Sequence, residues 1–189
     1  MNKKVIIGIV IVVIIAIVAG LFLFNSADLT LVAGDAQVTV PGNSTVDKDG
    51  VAHYGDIGIT FTPIVGLNES SMKEMFDAFK SNGADAGYCN VTIGEVNGYK
   101  TYEFNADPTK LKTVSSDKVA SGDYETWNEY DPYIPYKGIT DMKVVKFRYI
   151  GFVKDGSIKE LCIFTNNTGA DLYSSDMANI INSISAAEK

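Results

Sequence analysis

The sequence predicts an α+β protein in which an N-terminal transmembrane helix precedes a mostly antiparallel sheet, with an internal and a C-terminal helix packed on that sheet. Three observations predict it. Residues Val5 to Phe24 hold no charged side chain. Several short segments alternate polar and apolar residues and stop at Pro, Asn-Gly or Asp-Gly. Two longer segments repeat apolar residues at the helical period instead.

The leading segment is 20 residues of Val, Ile, Ala, Gly, Leu and Phe. As a helix it spans roughly 30 Å, the thickness of a hydrocarbon core. Lipid offers the backbone no hydrogen-bond partner, so a helix is the form such a segment takes. A cleaved signal peptide is the competing reading, but its apolar stretch runs only about 7–15 residues before a small-x-small site. Here the stretch is longer and only Asn25-Ser26-Ala27 imitates that site. The reading adopted is an uncleaved signal anchor that crosses the cell membrane once. Residues 5–24 then have the lipid bilayer as their partner. Lys3 and Lys4 stay on the cytoplasmic side and the C-terminal domain lies outside.

Residues 25–35 follow as a linker and lead-in, with Leu29, Leu31 and Val32 available for a first strand. Gln37-Val38-Thr39-Val40 alternates and stops at Pro41-Gly42. The polar run after it contains Asp47-Lys48-Asp49-Gly50, which imitates the opening of a calcium loop. Position 12 of that loop falls on Gly58, where a bidentate Glu is needed, so the site is rejected. Ile57, Ile59 and Phe61 alternate with Gly58, Thr60 and Thr62 in a strand that Pro63 ends. A helix over 69–82 comes next: Met72, Met75, Phe76 and Phe79 share one face. Ser71-Met72-Lys73-Glu74 has capping-box spacing, and Asn82-Gly83 supplies the stop.

Asn97-Gly98 predicts a type I′ hairpin turn with both central residues at positive φ. Its register opposes Val96 with Tyr99, Glu95 with Lys100, Ile93 with Tyr102 and Val91 with Phe104. The Asp155-Gly156 turn likewise opposes Val153 with Ile158, Tyr149 with Cys162 and Phe147 with Phe164. Cys89 and Cys162 both land on apolar strand faces, which predicts burial. They form either one disulfide or two thiols acting as small hydrophobes. A closing helix is predicted from about Ala170 to Ala186, with Tyr173, Met177, Ile180, Ile181 and Ile184 as one stripe.

This order of elements resembles the PsbP-like fold over roughly residues 36–186. The segments that carry the likeness are Val40-Pro41, Ile57 to Pro63, the helix 69–82, the two hairpins and the closing helix. The chain then divides into an anchor (1–24), a lead-in (25–35) and an α+β ectodomain (36–189) interrupted by an insertion at 107–140. The resemblance implies a binding or assembly factor more than an enzyme. No functional residue carries over with it.

The insertion is the most unusual local feature. Tyr124, Trp127, Tyr130, Tyr133 and Tyr136 recur at every third position, a period that suits polyproline II or 3₁₀ geometry and aligns the rings along one edge. Asp123, Glu125, Glu129 and Asp131 rim the row. Such rings either fold back over an open face of the sheet or grip a surface protein or glycan. A calcium site from Asp117 and those four acids has no matching loop spacing. Four Asn-x-Ser/Thr sequons, at Asn43, Asn68, Asn90 and Asn166, mark candidate glycosylation sites and suit an exterior location.

Charge narrows the partners. The chain holds 23 acidic against 16 basic side chains, a net charge of −7, or −9 once the anchor's two lysines are set aside. Such a surface repels phosphate and excludes nucleic acid as a partner. A single histidine leaves no His-rich metal site and no specific Ser-His-Asp triad, and neither cofactor nor metal is expected. His53, with Asp56 to orient it, is the one candidate base, and it reads as a turn residue at the surface. No Gly-x-Ser-x-Gly, phosphate loop or His-Glu-x-x-His motif occurs. The expectation is a membrane-tethered, extracytoplasmic binding or assembly module without catalytic activity. The alternatives are an extracytoplasmic hydrolase using carboxylates of the insertion, or a structural envelope component.

Overall fold

A computed structural model describes residues 27–82, 88–106 and 144–188. The expected anchor over 5–24, the ring row from Tyr124 to Tyr136 and the acidic set from Asp117 to Asp131 lie outside the described residues. Among the described residues, no helix is long and apolar enough to cross a membrane.

In chain order the strands are β1 (Leu29–Ala33), β2 (Ala36–Val40), β3 (Thr45–Val46), β4 (Ala52–Tyr54) and β5 (Ile57–Ile64). Then come β6 (Tyr88–Val96), β7 (Tyr99–Ala106), β8 (Lys146–Lys154), β9 (Ser157–Thr165) and β10 (Ser185–Ala186). Helix α1 (Glu69–Asn82) lies between β5 and β6, and α2 (Ser175–Asn182) between β9 and β10. Seven strands form one sheet in the order β3-β4-β5-β9-β8-β7-β6, and three form a second in the order β1-β2-β10. Every pairing is antiparallel. The protein is α+β, as its alternating and helical segments predict.

Both faces of the large sheet carry a core, which explains why β8 and β9 are buried almost without interruption rather than on alternate residues. On one face α1 presents Met72 and Phe76, both fully buried. The Phe76 ring lies 5.2 Å from Tyr102 and 5.6 Å from Phe104, centroid to centroid. On the other face the small sheet contributes Val38 and Val40, and α2 contributes Met177, Ile180 and Ile181. They pack on Ile59, Ile150, Phe152, Leu161 and Ile163. The lead-in therefore belongs to the domain: β1 pairs with β2 along its whole length.

Both hairpin turns form as their residues predict, with φ of 50° at Asn97 and at Asp155. All three pairs expected across the Asp155-Gly156 turn are present. Four expectations need correction. β5 continues through Pro63 to Ile64, because β4 covers only Ile57 to Ile59. Among the described residues the outer side of β5 has no neighbour at Pro63, so its missing N–H costs no ladder bond there. Helix α1 is capped by Asn68, not by a Ser71 box: the Asn68 Oδ1 accepts from the Ser71 N–H at 2.9 Å.

The third correction concerns β6. A bulge between Cys89 and Thr92, with Asn90 at φ 55°, adds one residue and reverses which face later side chains occupy. Asn90 and Val91 therefore share Phe104 as the residue opposite them, in place of a simple Val91–Phe104 pair, and Cys89 is exposed while Cys162 is buried. No disulfide joins them. Three strand spacings of about 4.8 Å, roughly 14 Å in all, separate their strands, well beyond disulfide reach. Finally, α2 is shorter than its apolar stripe. The Lys146 Nζ donates to the Ala170 carbonyl at 2.6 Å and Arg148 Nη1 to the Leu172 carbonyl at 2.8 Å. Those carbonyls are thus spent outside a helix. Tyr173 is left 49 % exposed, and Ser174 caps the helix instead.

Candidate functional site

The β1–β2 hairpin has two ends, and each borders a groove. At the N-terminal end, Asp28, Thr39, Asp176 and Ser183 line a groove of about 270 Å³. Its polar groups serve the fold. The Tyr54 hydroxyl donates to Asp176 Oδ2 at 2.7 Å, which holds the Tyr54 hydroxyl above its usual pKa. Ser183 Oγ accepts from the Thr39 N–H at 2.7 Å and donates to the Ile180 carbonyl at 2.6 Å. The Gly42 N–H donates to Asp28 Oδ1 at 3.3 Å.

The groove at the turn end is larger, about 480 Å³, and is assembled from four places in the chain. The β1–β2 turn supplies Asp35, the β8–β9 turn supplies Lys154 and Asp155, and the tail after β10 supplies Ala186, Ala187 and Glu188. Tyr99, the first residue of β7, completes its lining. The hairpin turns dictate this convergence, because a two-residue loop sets both ends of each ladder at one edge of the sandwich. The tail is tied in by the Ala187 N–H, which donates to the Asp35 carbonyl at 2.9 Å.

Charge in this groove is only partly compensated. Asp35 pairs with Lys159, whose side chain is 3 % exposed, and that contact holds the Asp35 carboxyl below its usual pKa. The Lys154 ammonium sits over the Tyr99 ring, 4.7 Å from its centroid. Asp155 and Glu188 are exposed. Tyr99 itself is 5 % exposed, and burial, then Asp35 and Asp155, push its hydroxyl pKa up. It stays a neutral hydroxyl through the physiological range.

The sequence-predicted candidates fall elsewhere. His53 Nε2 bonds Asp47 Oδ2 at 2.9 Å, not Asp56, which instead accepts from Asn167 Nδ2 at 3.0 Å. Asp47 also accepts from the N–H groups of Asp49 and Val51, so the run that imitates a calcium loop is a side-chain-stabilised turn. Asn43, Asn68, Asn90 and Asn166 are all exposed. Among the described residues, no group of three or more His, Cys, Asp or Glu side chains is placed to hold a metal ion. The turn-end groove is not visible along the sequence, because its residues lie far apart and none belongs to a motif. The one local signal was the pair of hairpin turns that border it. No protein-family profile and no curated protein matches this chain.

Proposed function

We propose that this chain is a single-pass, membrane-tethered binding or assembly module without catalytic activity, its C-terminal domain outside the cell. The observation that supports it is the placement of the turn-end groove. Residue 28 follows the apolar run by only four residues, a reach of at most roughly 14 Å. From there β1 leads away, and Gly34, on the groove, lies six residues further on, roughly 20 Å along an extended strand. A domain held at its first strand thus turns its larger groove away from its point of attachment.

The wider reading rests on the same arrangement. His53 lines neither groove, and its partner Asp47 belongs to a surface turn, which favours binding over hydrolysis. Exposure of the four sequon asparagines suits an exterior domain that accepts glycans. The ring row Tyr124, Trp127, Tyr130, Tyr133 and Tyr136 enters this reading on sequence grounds, as a second contact for a surface protein or glycan. Kinship with PsbP-like binding factors belongs to the same proposal.

The test uses Cys89, the exposed thiol. In intact cells, a membrane-impermeant maleimide is expected to label the full-length chain at Cys89, and the chain is expected to leave the membrane fraction only with detergent. Labelling that requires lysis, or recovery of the intact chain in the soluble fraction, overturns the tether.

A further inference from the structure

We infer that the free edge of β6, at Ile93 and Glu95, is a docking site for an extended segment of a partner protein, which adds there as a further strand and sets a Lys or Arg opposite Glu95. This rests on reading the domain as a binding module and names the kind of partner it takes.

β6 ends the seven-stranded sheet, and no further strand pairs with it among the described residues. The opposite edge, β3, is only two residues long, one of the ways a sheet protects an edge. β6 is nine residues long and holds neither Lys nor Pro. Its bulge lies between Cys89 and Thr92, so Thr92 to Val96 form a regular ladder with β7. Gly94 in that ladder is exposed, and in a residue without a side chain the exposed surface is main chain.

The turn fixes which main-chain groups face outward. In a two-residue hairpin the closing pair, here Val96 and Tyr99, exchanges both its hydrogen bonds, and such pairs alternate along the ladder. Val96, Gly94 and Thr92 therefore spend their groups on β7. The N–H and C=O groups of Ile93 and Glu95 point away from it, and an added strand meets both donors and both acceptors.

The side chains beside those groups name the occupant. Ile93 and Glu95 share the face of Tyr102 and Lys100. Ile93 is 46 % exposed, so an apolar residue opposite it covers a side chain that the fold leaves open. Glu95 lies across from Lys100, but Lys100 Nζ donates to Glu69 Oε1 at 2.6 Å. Glu95 has no ion-pair partner among the described residues, and it is the only charged residue of β6. A cation directly opposite it is the favourable cross-strand pair. A second copy of the chain fits less well, because each copy carries a net charge of −7 and β6 offers another β6 no cation. Antiparallel addition gives the partner the order Lys-x-apolar, with Lys opposite Glu95 and the apolar residue opposite Ile93.

The probe is the peptide acetyl-Ser-Thr-Lys-Thr-Val-Thr-Ser-amide, titrated against the full-length chain in zwitterionic nanodiscs by fluorescence anisotropy. It is expected to bind and to slow hydrogen exchange at the Ile93 and Glu95 amides. Replacing its Lys by Glu is expected to weaken binding about 5-fold, and added salt to narrow that difference. N-methylation of its Lys and Val amides removes the two donors that face β6 and is expected to cost at least about 10-fold. Methylation of the two flanking Thr amides is expected to leave binding unchanged, since those point away. In the chain, Glu95→Gln keeps the strand and is expected to weaken binding about 3-fold.

The inference is overturned if the peptide does not bind, if its Glu version binds as well, or if methylation of the Lys and Val amides has no effect. Protection confined to another segment overturns it too. So does a concentration-dependent dimer that protects Ile93 and Glu95 without peptide, which assigns the edge to a second copy. These outcomes are separate from those of the labelling test. A purified chain that binds the peptide but resides in the cytosol sinks the tether alone. A surface chain indifferent to the peptide sinks the docking site alone.

Discussion

Arg148 donates through Nη1 to the Leu172 carbonyl at 2.8 Å, so a strand in the middle of the large sheet holds the loop that leads into α2. The same side chain donates through Nε to Glu103 Oε1 at 2.8 Å on the neighbouring strand, and its guanidinium lies 4.1 Å from the Tyr173 ring centroid. One residue thus joins β7, β8 and the segment 172–173.

Replacing Arg148 by Met removes the charge and leaves Glu103 and the Leu172 carbonyl without their donor. The pair's side chains are 10 % and 21 % exposed. The expected loss is about 2 kcal/mol, below the ~3–5 of a fully buried pair because water reaches Glu103. Arg148→Lys is expected to recover only part of it, since an ammonium cannot repeat the two-direction fork. Urea unfolding of both variants in the same detergent measures the difference.

Gly58 has no room for a side chain. A Cβ there would stand 2.4 Å from Phe164 Cε2, and that ring is fully buried and cannot swing away without opening the core. Gly58→Ala is expected to destabilise by about 3 kcal/mol, the upper range of overpacking, despite adding one methyl group. Thermal unfolding checks it. The double variant Gly58→Ala with Phe164→Leu is expected to be less destabilised than the sum of the singles.

Acid sensitivity follows from Asp47. Its hydrogen bonds from His53, then from the Val51 N–H, hold its carboxyl below the ordinary 3.8. A carboxylate depressed in the folded state contributes stability fully above the unfolded value, and loses it as pH falls through the folded one. The contribution is therefore lost as pH falls below the ordinary value and through the lower, folded one. Asp47→Asn keeps an oxygen for the two backbone donors but no titration. Its unfolding midpoint is expected to vary less between pH 4 and pH 2 than that of the wild type.

What the residues disclose beforehand is local. Asn97-Gly98 and Asp155-Gly156 declare their turns because positive φ needs those residue types, and the alternating strands declare their faces by period. Pro63 and the α2 boundary mislead for one reason: each depends on a partner that local pattern cannot name. Pro63 is tolerated because β4 stops early, and residues 170–172 stay out of the helix because Lys146 and Arg148 claim their carbonyls. Cys89 misleads because a one-residue bulge is invisible in a pattern that averages over two. The turn-end groove is harder still, being a product of strand order rather than of any segment.

Asn97 shows how a well-read residue can have an unread second role. Its positive φ makes the turn, and its Nδ2 donates to the Asn182 carbonyl at 2.7 Å and the Ile184 carbonyl at 3.2 Å. The β6–β7 hairpin therefore caps the C-terminus of α2, whose last carbonyls have no helical donor. By turn chemistry alone, Asp or Gly at position 97 serves nearly as well as Asn. The contacts separate them. Asn97→Gly keeps the turn and loses the cap, at an expected cost of about 1 kcal/mol. Asn97→Asp keeps the turn but aims a carboxylate at two carbonyl oxygens and at the negative end of the helix, so its expected cost is larger, about 2 kcal/mol. Chemical unfolding ranks the two variants, and faster hydrogen exchange confined to Ser183 and Ile184 locates the damage. Equal stability of Asn97→Asp and wild type would mean that the hairpin shapes only its own turn.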